Sequence, residues 1–93
     1  MKSDALTSAQ LRAARALLRW RAEDLARESS VGVATIRRAE LTDDETSMTA
    51  ANDLAVRRAL EAAGVQFIDE NGGGRGVRLK KSRRETRKAR RGD

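Results

Sequence analysis

The sequence predicts a small, mainly α-helical domain of about four helices, followed by a short β-hairpin and a basic tail. The 93-residue chain has no proline and many alanine, leucine and arginine residues, a composition that favours helix. Apolar residues recur three and four positions apart in several stretches, which is the spacing of one helix face. Near the C-terminus, two short apolar runs flank a glycine-rich segment, as in a hairpin.

These patterns divide the chain into four parts. Residues 1–6 are expected to be flexible and residues 7–64 to form the helical domain. Residues 65–80 would form the hairpin and residues 81–93 a disordered basic tail. No stretch is long and apolar enough for a signal peptide or a membrane span, so a cytoplasmic protein is expected.

The first helix is expected over about residues 8–19. Thr7 and Gln10 have the spacing of a capping box, in which the Thr7 hydroxyl accepts a hydrogen bond from the Gln10 amide. Arginines recur beside the apolar stripe, and Arg12 and Arg19 are expected on a solvated face. The stripe itself is formed by Leu11, Ala14 and Leu18.

Two shorter helices joined by a tight turn are predicted next. The first covers about residues 22–29. The second begins near Val33, with Gly32 as its N-cap, and turns Ile36 and Ala39 towards the core. A helix held at one angle by a short turn, with small residues and arginines outward, can enter a DNA major groove. The outward residues are Val33, Ala34, Arg37 and Arg38.

This pair of helices resembles the helix-turn-helix of lambda-repressor-like (Xre-type) bacterial transcriptional regulators. The residues that carry the resemblance are Leu25-Ala26, Val31, Thr35-Ile36 and Glu40. With the flanking helices it covers about residues 6 to 80. It implies a lambda-repressor-like helical bundle that binds operator DNA as a homodimer, with the helix of residues 33–40 in the major groove.

The resemblance also implies roles for single residues. The side chains expected at base edges are Val33, Ala34, Arg37 and Arg38, arginine to guanine being the commonest specific contact. Those expected at phosphates are Arg21 and Thr35 and, because of the positive charge of the tail, Lys80, Lys81, Arg83 and Arg84. In this family an arginine of the first helix pairs with the glutamate that ends the recognition helix, which implies an ion pair between Arg15 and Glu40. Such a pair fixes the angle between helices more than it adds stability.

Three positions depart from the family's pattern. Ala22 stands where many members have a glutamine that contacts a phosphate, and Arg21 is the candidate to replace that contact. Ser30 stands where glycine is usual, and a left-handed conformation there is mildly strained. The acidic segment of residues 43–45 follows the recognition helix, and phosphates would repel it unless it points away.

A fourth helix is expected over about residues 50–63, capped by Thr49 or Ser47 and ended by Gly64. On it, Arg57 and Arg58 suit either a solvated surface or contact with phosphate. The two aromatic residues of the chain are both expected to be buried, and they are Trp20 and Phe67. For Trp20 the expected place is the core, with base stacking as the alternative.

The hairpin would combine residues 65–68 with residues 77–79. A two-stranded hairpin is marginal alone, so it must lie on the helices or pair with the same hairpin of a second subunit. Pairing between subunits would give a homodimer, with Phe67 buried at the contact. The residues expected at this contact are Val65, Phe67, Val77 and Leu79.

The composition excludes most catalytic chemistry. Without Cys there is no disulfide or thiolate metal site, and without His or Tyr acid–base chemistry is left to carboxylates and Lys. We therefore expect no enzyme activity, metal or cofactor. The glycine-rich segment is followed by neither Lys-Ser/Thr nor a helix, which argues against a phosphate-binding loop.

The net charge of +6 belongs to the tail. Residues 1–79 contain twelve basic and twelve acidic residues, whereas residues 80–93 contain eight basic and two acidic ones. The leading hypothesis is a DNA-binding repressor or autoregulator. The neutral domain and its acidic loop support a second hypothesis, in which the same fold binds another regulatory protein as an antitoxin or antiactivator. The tail alone would suit an RNA-binding protein.

Overall fold

Four helices and a two-stranded antiparallel sheet make up residues 5–70 and 72–80, the part of the chain that the computed structural model describes. The elements are α1 (Ser8–Leu18), α2 (Ala22–Ser29), α3 (Val33–Ala39), α4 (Ala50–Ala62), β1 (Val65–Ile68) and β2 (Gly76–Leu79). The expected mainly α-helical domain with about four helices and a hairpin is therefore confirmed. The predicted basic tail, residues 81–93, lies outside the described residues. No helix within the described ranges is long and apolar enough to cross a membrane.

One core joins all six elements. Its centre is made of side chains from each helix and from β1, and the fully enclosed large ones are Leu6, Leu11, Leu25, Ile36, Val56, Leu60 and Val65. The expected stripe of α1 supplies part of it, and Trp20 packs against its edge. Around this core α2 contacts both α3 and α4, while α1 contacts both strands.

The folded domain begins earlier than the sequence predicted. Leu6, expected in a flexible start, is 1% exposed and belongs to the core. Its amide donates to Asp53 Oδ2 at 3.2 Å, and its carbonyl accepts from the Thr46 amide at 3.0 Å. The boundary at residue 7 was wrong because the capping signal marks where α1 begins, whereas Leu6, directly before it, is held by contacts distant in sequence.

Local capping signals set the ends of α1 and α4. The Thr7 hydroxyl accepts from the Gln10 amide at 3.1 Å, and Gln10 Oε1 accepts from the Thr7 amide at 3.1 Å. Thr49, one of the two expected caps, accepts from the Asn52 amide at 3.1 Å. Helix α4 gives way to Gly64, whose φ of +112° lies in a region that side chains rarely allow.

A left-handed serine makes the turn between α2 and α3. Ser30 has φ of +61°, the conformation expected from its place in the pattern. The Ser29 hydroxyl braces the turn, because it donates to the Leu25 carbonyl at 2.7 Å and accepts from the Val31 amide at 3.2 Å. Val31 is buried directly after it, so the turn is fixed to the core and sets the angle of α3.

The hairpin lies on the helices of its own chain. Its register pairs Val65 with Leu79 and Phe67 with Val77, which puts these four residues on one face. That face turns inward: Val65 is fully buried, and Phe67 and Val77 pack against the core. The prediction that Val65 contacts a second subunit was therefore wrong, because its side chain closes the core of one subunit. Leu79, at the strand end, remains 45% exposed.

Candidate nucleic-acid interface

Helix α3 is buried on one side and open on the other. Ile36 and Ala39 are enclosed in the core, as expected. On the opposite side, Ala34, Arg37 and Arg38 are exposed, so three of the four residues expected at base edges face solvent. Val33, the fourth, is only partly exposed because it packs against the core.

Arg38 has the most available charge on this helix. Its guanidinium makes no hydrogen bond or ion pair with another residue in the described ranges. It borders a groove between α3 and the start of α4, which we call the hydroxyl groove. Besides Arg38, the polar residues that line the hydroxyl groove are Thr35, Thr42, Thr46, Ser47, Thr49 and Asn52. Hydroxyl and amide side chains next to a free arginine are groups that bind the phosphates of a duplex.

Arg37 has a partner in the same domain. Its guanidinium forms an ion pair with the carboxylate of Glu23 in α2. The two side chains are 58% and 52% exposed, so the pair lies at the surface. Arg37 would have to release this carboxylate before it could bind a phosphate or a base. Arg38, which is unpaired in the described ranges, would not.

The expected ion pair between Arg15 and Glu40 is present. Arg15 Nε lies 2.6 Å from Glu40 Oε2, and Nη2 donates to Oε1 at 2.7 Å, so the two planar groups face each other. The third nitrogen, Nη1, donates to the Trp20 carbonyl at 2.8 Å. The hydrogen bonds to Glu40 raise the pKa of Arg15, although its partial burial acts in the opposite direction. One side chain thus joins α1, the α1–α2 link and the end of α3.

Two further contacts from α1 hold the end of α3. Arg12 Nη1 donates to the Glu40 carbonyl at 2.6 Å, and the Ser8 hydroxyl donates to the Ala39 carbonyl. Arg12 was expected to be simply solvated; it is exposed, but it binds the terminal carbonyl. The sequence signal was available, because Ser8, Arg12 and Arg15 are four and then three residues apart and share one side of α1.

A second groove lies on the other flank of α3, between it, the end of α1 and the start of α2. We call it the arginine groove. Its charged lining consists of five arginines and two glutamates: Arg12, Arg15, Arg19, Arg21, Arg37, Glu23 and Glu40. Arg21, expected at a phosphate, extends into solvent with its side chain 80% exposed. The two grooves therefore border α3 on opposite sides.

The start of α2 is fixed by Asp24. Its Oδ2 accepts from the Arg21 amide at 2.8 Å, and its Oδ1 lies 3.0 Å from Arg27 Nη2. The backbone hydrogen bond from Arg21, followed by the side-chain hydrogen bond from Arg27, lowers the pKa of Asp24. The Asp24 carboxylate thus forms one half of a capping box, in which the third residue of the helix accepts from the amide of the N-cap residue.

The acidic loop is attached to the beginning of α1. The Asp44 carbonyl accepts from the Ser8 amide at 2.7 Å, and Glu45 pairs with Thr7 as an isolated bridge. The Thr42 hydroxyl donates to the Glu45 carbonyl at 2.8 Å. The acidic side chains themselves are exposed. The loop is thus held beside the C-terminal end of α3, whereas Ala34 lies at the other end of that helix.

The remaining expected phosphate contacts lie near the C-terminus. Lys80 is exposed directly after β2, and its amide donates to the Gly64 carbonyl at 2.8 Å. Lys81, Arg83 and Arg84 fall outside the described residues. Comparisons of the chain with protein families, with curated proteins and with solved structures find no match.

Proposed function

We propose that this protein is a DNA-binding transcriptional regulator with a lambda-repressor-like fold, acting as a repressor or autoregulator. One observation carries the proposal: α3 is buried on one side, fixed to α1 at its end, and exposed on its other side with an unpaired arginine. The ion pair between Arg15 and Glu40 sets its direction. A short helix held in this way is the element that such proteins insert into the major groove.

Base reading falls chiefly to Arg38. A free guanidinium on the outer side of α3 can donate two hydrogen bonds to O6 and N7 of guanine. Ala34, one helical turn earlier, is exposed and small enough to contact a thymine methyl group. Val33 contributes less, because part of its surface already packs against the core.

Phosphate contacts would flank this helix on both sides. Thr35 and the hydroxyl groove would meet one strand of the duplex, and Arg21 the other. Lys80 and the basic residues after it would add affinity that depends on salt and not on sequence. The acidic loop directly follows the C-terminal end of α3, where Arg38 lies, so its exposed carboxylates would have to face away from the duplex when Arg38 contacts a base.

The regulator would act as a homodimer. One recognition helix reads few base pairs, so specific binding by this fold uses two copies on half-sites roughly 34 Å apart. With Val65 in the core, the contact would use the outer edge of the hairpin and the exposed side chain of Leu79. Symmetry then gives each subunit the same contact surface.

One observation favours a protein partner as a second function. Leu41, directly after α3, is 81% exposed, and the acidic loop follows it. A large apolar side chain beside several carboxylates suits a basic, partly apolar protein surface better than a phosphate backbone. In this alternative the same helix-turn-helix would serve as an antitoxin or antiactivator.

Footprinting on the DNA upstream of the protein's own coding region tests the proposal. We expect two protected half-sites about one helical turn apart, with the full chain at physiological salt. Arg38→Ala should raise the protein concentration needed for protection, and Arg58→Ala, an exposed arginine on α4 that lines neither groove, should leave that concentration unchanged. If random duplex competes as well as the upstream DNA, the proposed function is wrong.

A further inference from the structure

The base reading proposed for Arg38 uses neither the arginine groove nor its exposed carboxylate. Of the two glutamates in the groove, Glu40 has a side chain only 10% exposed and is bound to Arg15. Glu23, half exposed, is therefore the solvent-facing carboxylate among the groove's lining residues. It pairs with Arg37 and also stabilises the charge of Arg15 through space.

We propose that the arginine groove binds a phosphate of the DNA backbone, and that Glu23 suppresses this binding by occupying Arg37 when DNA is absent. This inference rests on the proposed function, since it assigns a second role to the same face of the protein. Glu23 would be a specificity-determining residue: it weakens binding to every duplex, whatever its sequence, and leaves base contacts by Arg38 to decide the site.

The ion pair is suited to exchange. Pairs between half-exposed side chains are weak, because water screens them and both side chains lose freedom. A phosphate offers the guanidinium of Arg37 two oxygens and a full negative charge, as the carboxylate does, so Arg37 can change partners at little cost. Once it does, the released Glu23 stands close to the phosphate and repels it.

The surrounding charges favour an anion at this point. The guanidinium of Arg19 makes no hydrogen bond or ion pair with another residue in the described part of the chain, and the side chain of Arg21 lies 4.0 Å from its nearest acidic partner, Asp24. Arg12 and Arg15 are held by the end of α3, yet their positive charges remain beside the groove. The groove thus carries five arginines against two glutamates, and of these two glutamates only Glu23 is exposed enough to be displaced by an anion.

The test measures binding of the full chain to random duplex DNA over a range of salt. Three variants are compared with the wild type: Glu23→Gln, Glu28→Gln, and Glu23→Gln combined with Arg37→Ala. Glu28 is the matched control, since it lies on the same helix, is 52% exposed like Glu23 and loses the same charge. Thermal melting of each variant confirms that the fold is kept.

We expect Glu23→Gln to bind more tightly than the wild type and to have a slope of log affinity against log salt that is more negative by about 0.9, the effect of one more phosphate contact. The ratio of the affinity of Glu23→Gln to that of the wild type should grow about threefold when the salt concentration falls from about 0.2 M to about 0.05 M, which follows from that difference in slope. The combined variant should return to the wild-type slope because Arg37 is gone.

Two outcomes overturn the inference. One is equal affinity of Glu23→Gln and Glu28→Gln, which would mean that only net charge matters. The other is a gain that persists after Arg37→Ala, which would remove Arg37 as the phosphate ligand. Neither depends on an operator sequence. Failure of the proposed function has a different signature, since a selection from random sequences would then yield no preferred site while these affinities could still differ.

Discussion

The guanidinium of Arg15 and the carboxylate of Glu40 face each other through two hydrogen bonds of 2.6 and 2.7 Å, and so connect α1 to the end of α3. With the Glu40 side chain 10% exposed, the pair is shielded from water on most sides. Breaking such a pair leaves one charge without its partner in a place where water cannot replace it.

Glu40→Gln should therefore lower the free energy of unfolding by about 2 kcal/mol, the range of a lost hydrogen bond to a charged group. Urea denaturation followed by circular dichroism measures it. Glu45→Gln, at an exposed position of the acidic loop, is the control and should change stability little. Equal stabilities of the two variants would show that the pair does not hold α3.

Asp24 gives the domain a pH-dependent contribution. Its pKa in the folded protein is lowered from 3.8 by the backbone hydrogen bond from Arg21 and the hydrogen bond from Arg27. A carboxylate with a lowered pKa adds stability above its unfolded pKa and loses it as pH falls through the folded pKa. Asp24→Asn should thus reduce the melting temperature at pH 6, and its difference from the wild type should shrink below about pH 4.

The control for this measurement is Glu28→Gln, which removes an acid of the same helix whose nearest cation lies 4.0 Å away. Its melting temperature should follow the wild type at every pH. A difference between Asp24→Asn and the wild type that stays constant down to pH 2 would mean that Asp24 acts through packing and not through its charge.

Helix ends and strands could be predicted because their signals are local. Thr7 and Gln10 form their capping box within one turn, and Thr49 caps α4 in the same way. Ser30 stands where the family usually has glycine, so that a left-handed conformation there would be mildly strained, and its φ is +61°. Such signals act over a few residues, so a pattern in the sequence is enough to find them.

Contacts between distant segments could not be predicted in the same way. The burial of Leu6 depends on Asp53 and Thr46, and the pairing of Arg37 depends on the angle between α2 and α3. The strand face that carries Val65 was recognised as apolar. The alternation of apolar residues along a strand, however, does not say which other surface this face packs against. The pair between Arg15 and Glu40 was expected only through the family resemblance.

Arg38→Ala should cost roughly 1–3 kcal/mol of specific binding and relax the base preference at one position in each half-site. Its guanidinium is unpaired in the described structure, so its removal affects DNA contacts without disturbing the domain. Binding-site selection followed by sequencing measures the preference. Arg37→Ala should change the preference less, since that side chain is held by Glu23. An unchanged preference for Arg38→Ala would exclude it as a base reader.

Removing residues 81–93 should lower affinity for specific and random DNA by similar factors. The segment carries most of the excess positive charge, whereas Lys80 stays attached to Gly64 and is kept. Charge-based contacts depend on phosphates, so the slope of log affinity against log salt should become shallower. Fluorescence anisotropy on both DNAs measures this. A loss limited to the specific site would show that the tail reads sequence.

The last prediction concerns assembly, and the packing of the hairpin decides which residue to change. Phe67 is unsuitable, because its ring lies 4.9 Å from the guanidinium carbon of Arg57 and packs on the core, so Phe67→Asp would disturb the fold itself.

Leu79 is 45% exposed and Leu54 on α4 is 46% exposed, which makes them a matched pair of surface leucines. If the subunits meet through the hairpin, Leu79→Asp should raise the dimer dissociation constant about tenfold or more while the melting curve stays cooperative. Leu54→Asp should leave it unchanged. Sedimentation equilibrium gives both values, and the reverse result would move the interface to α4.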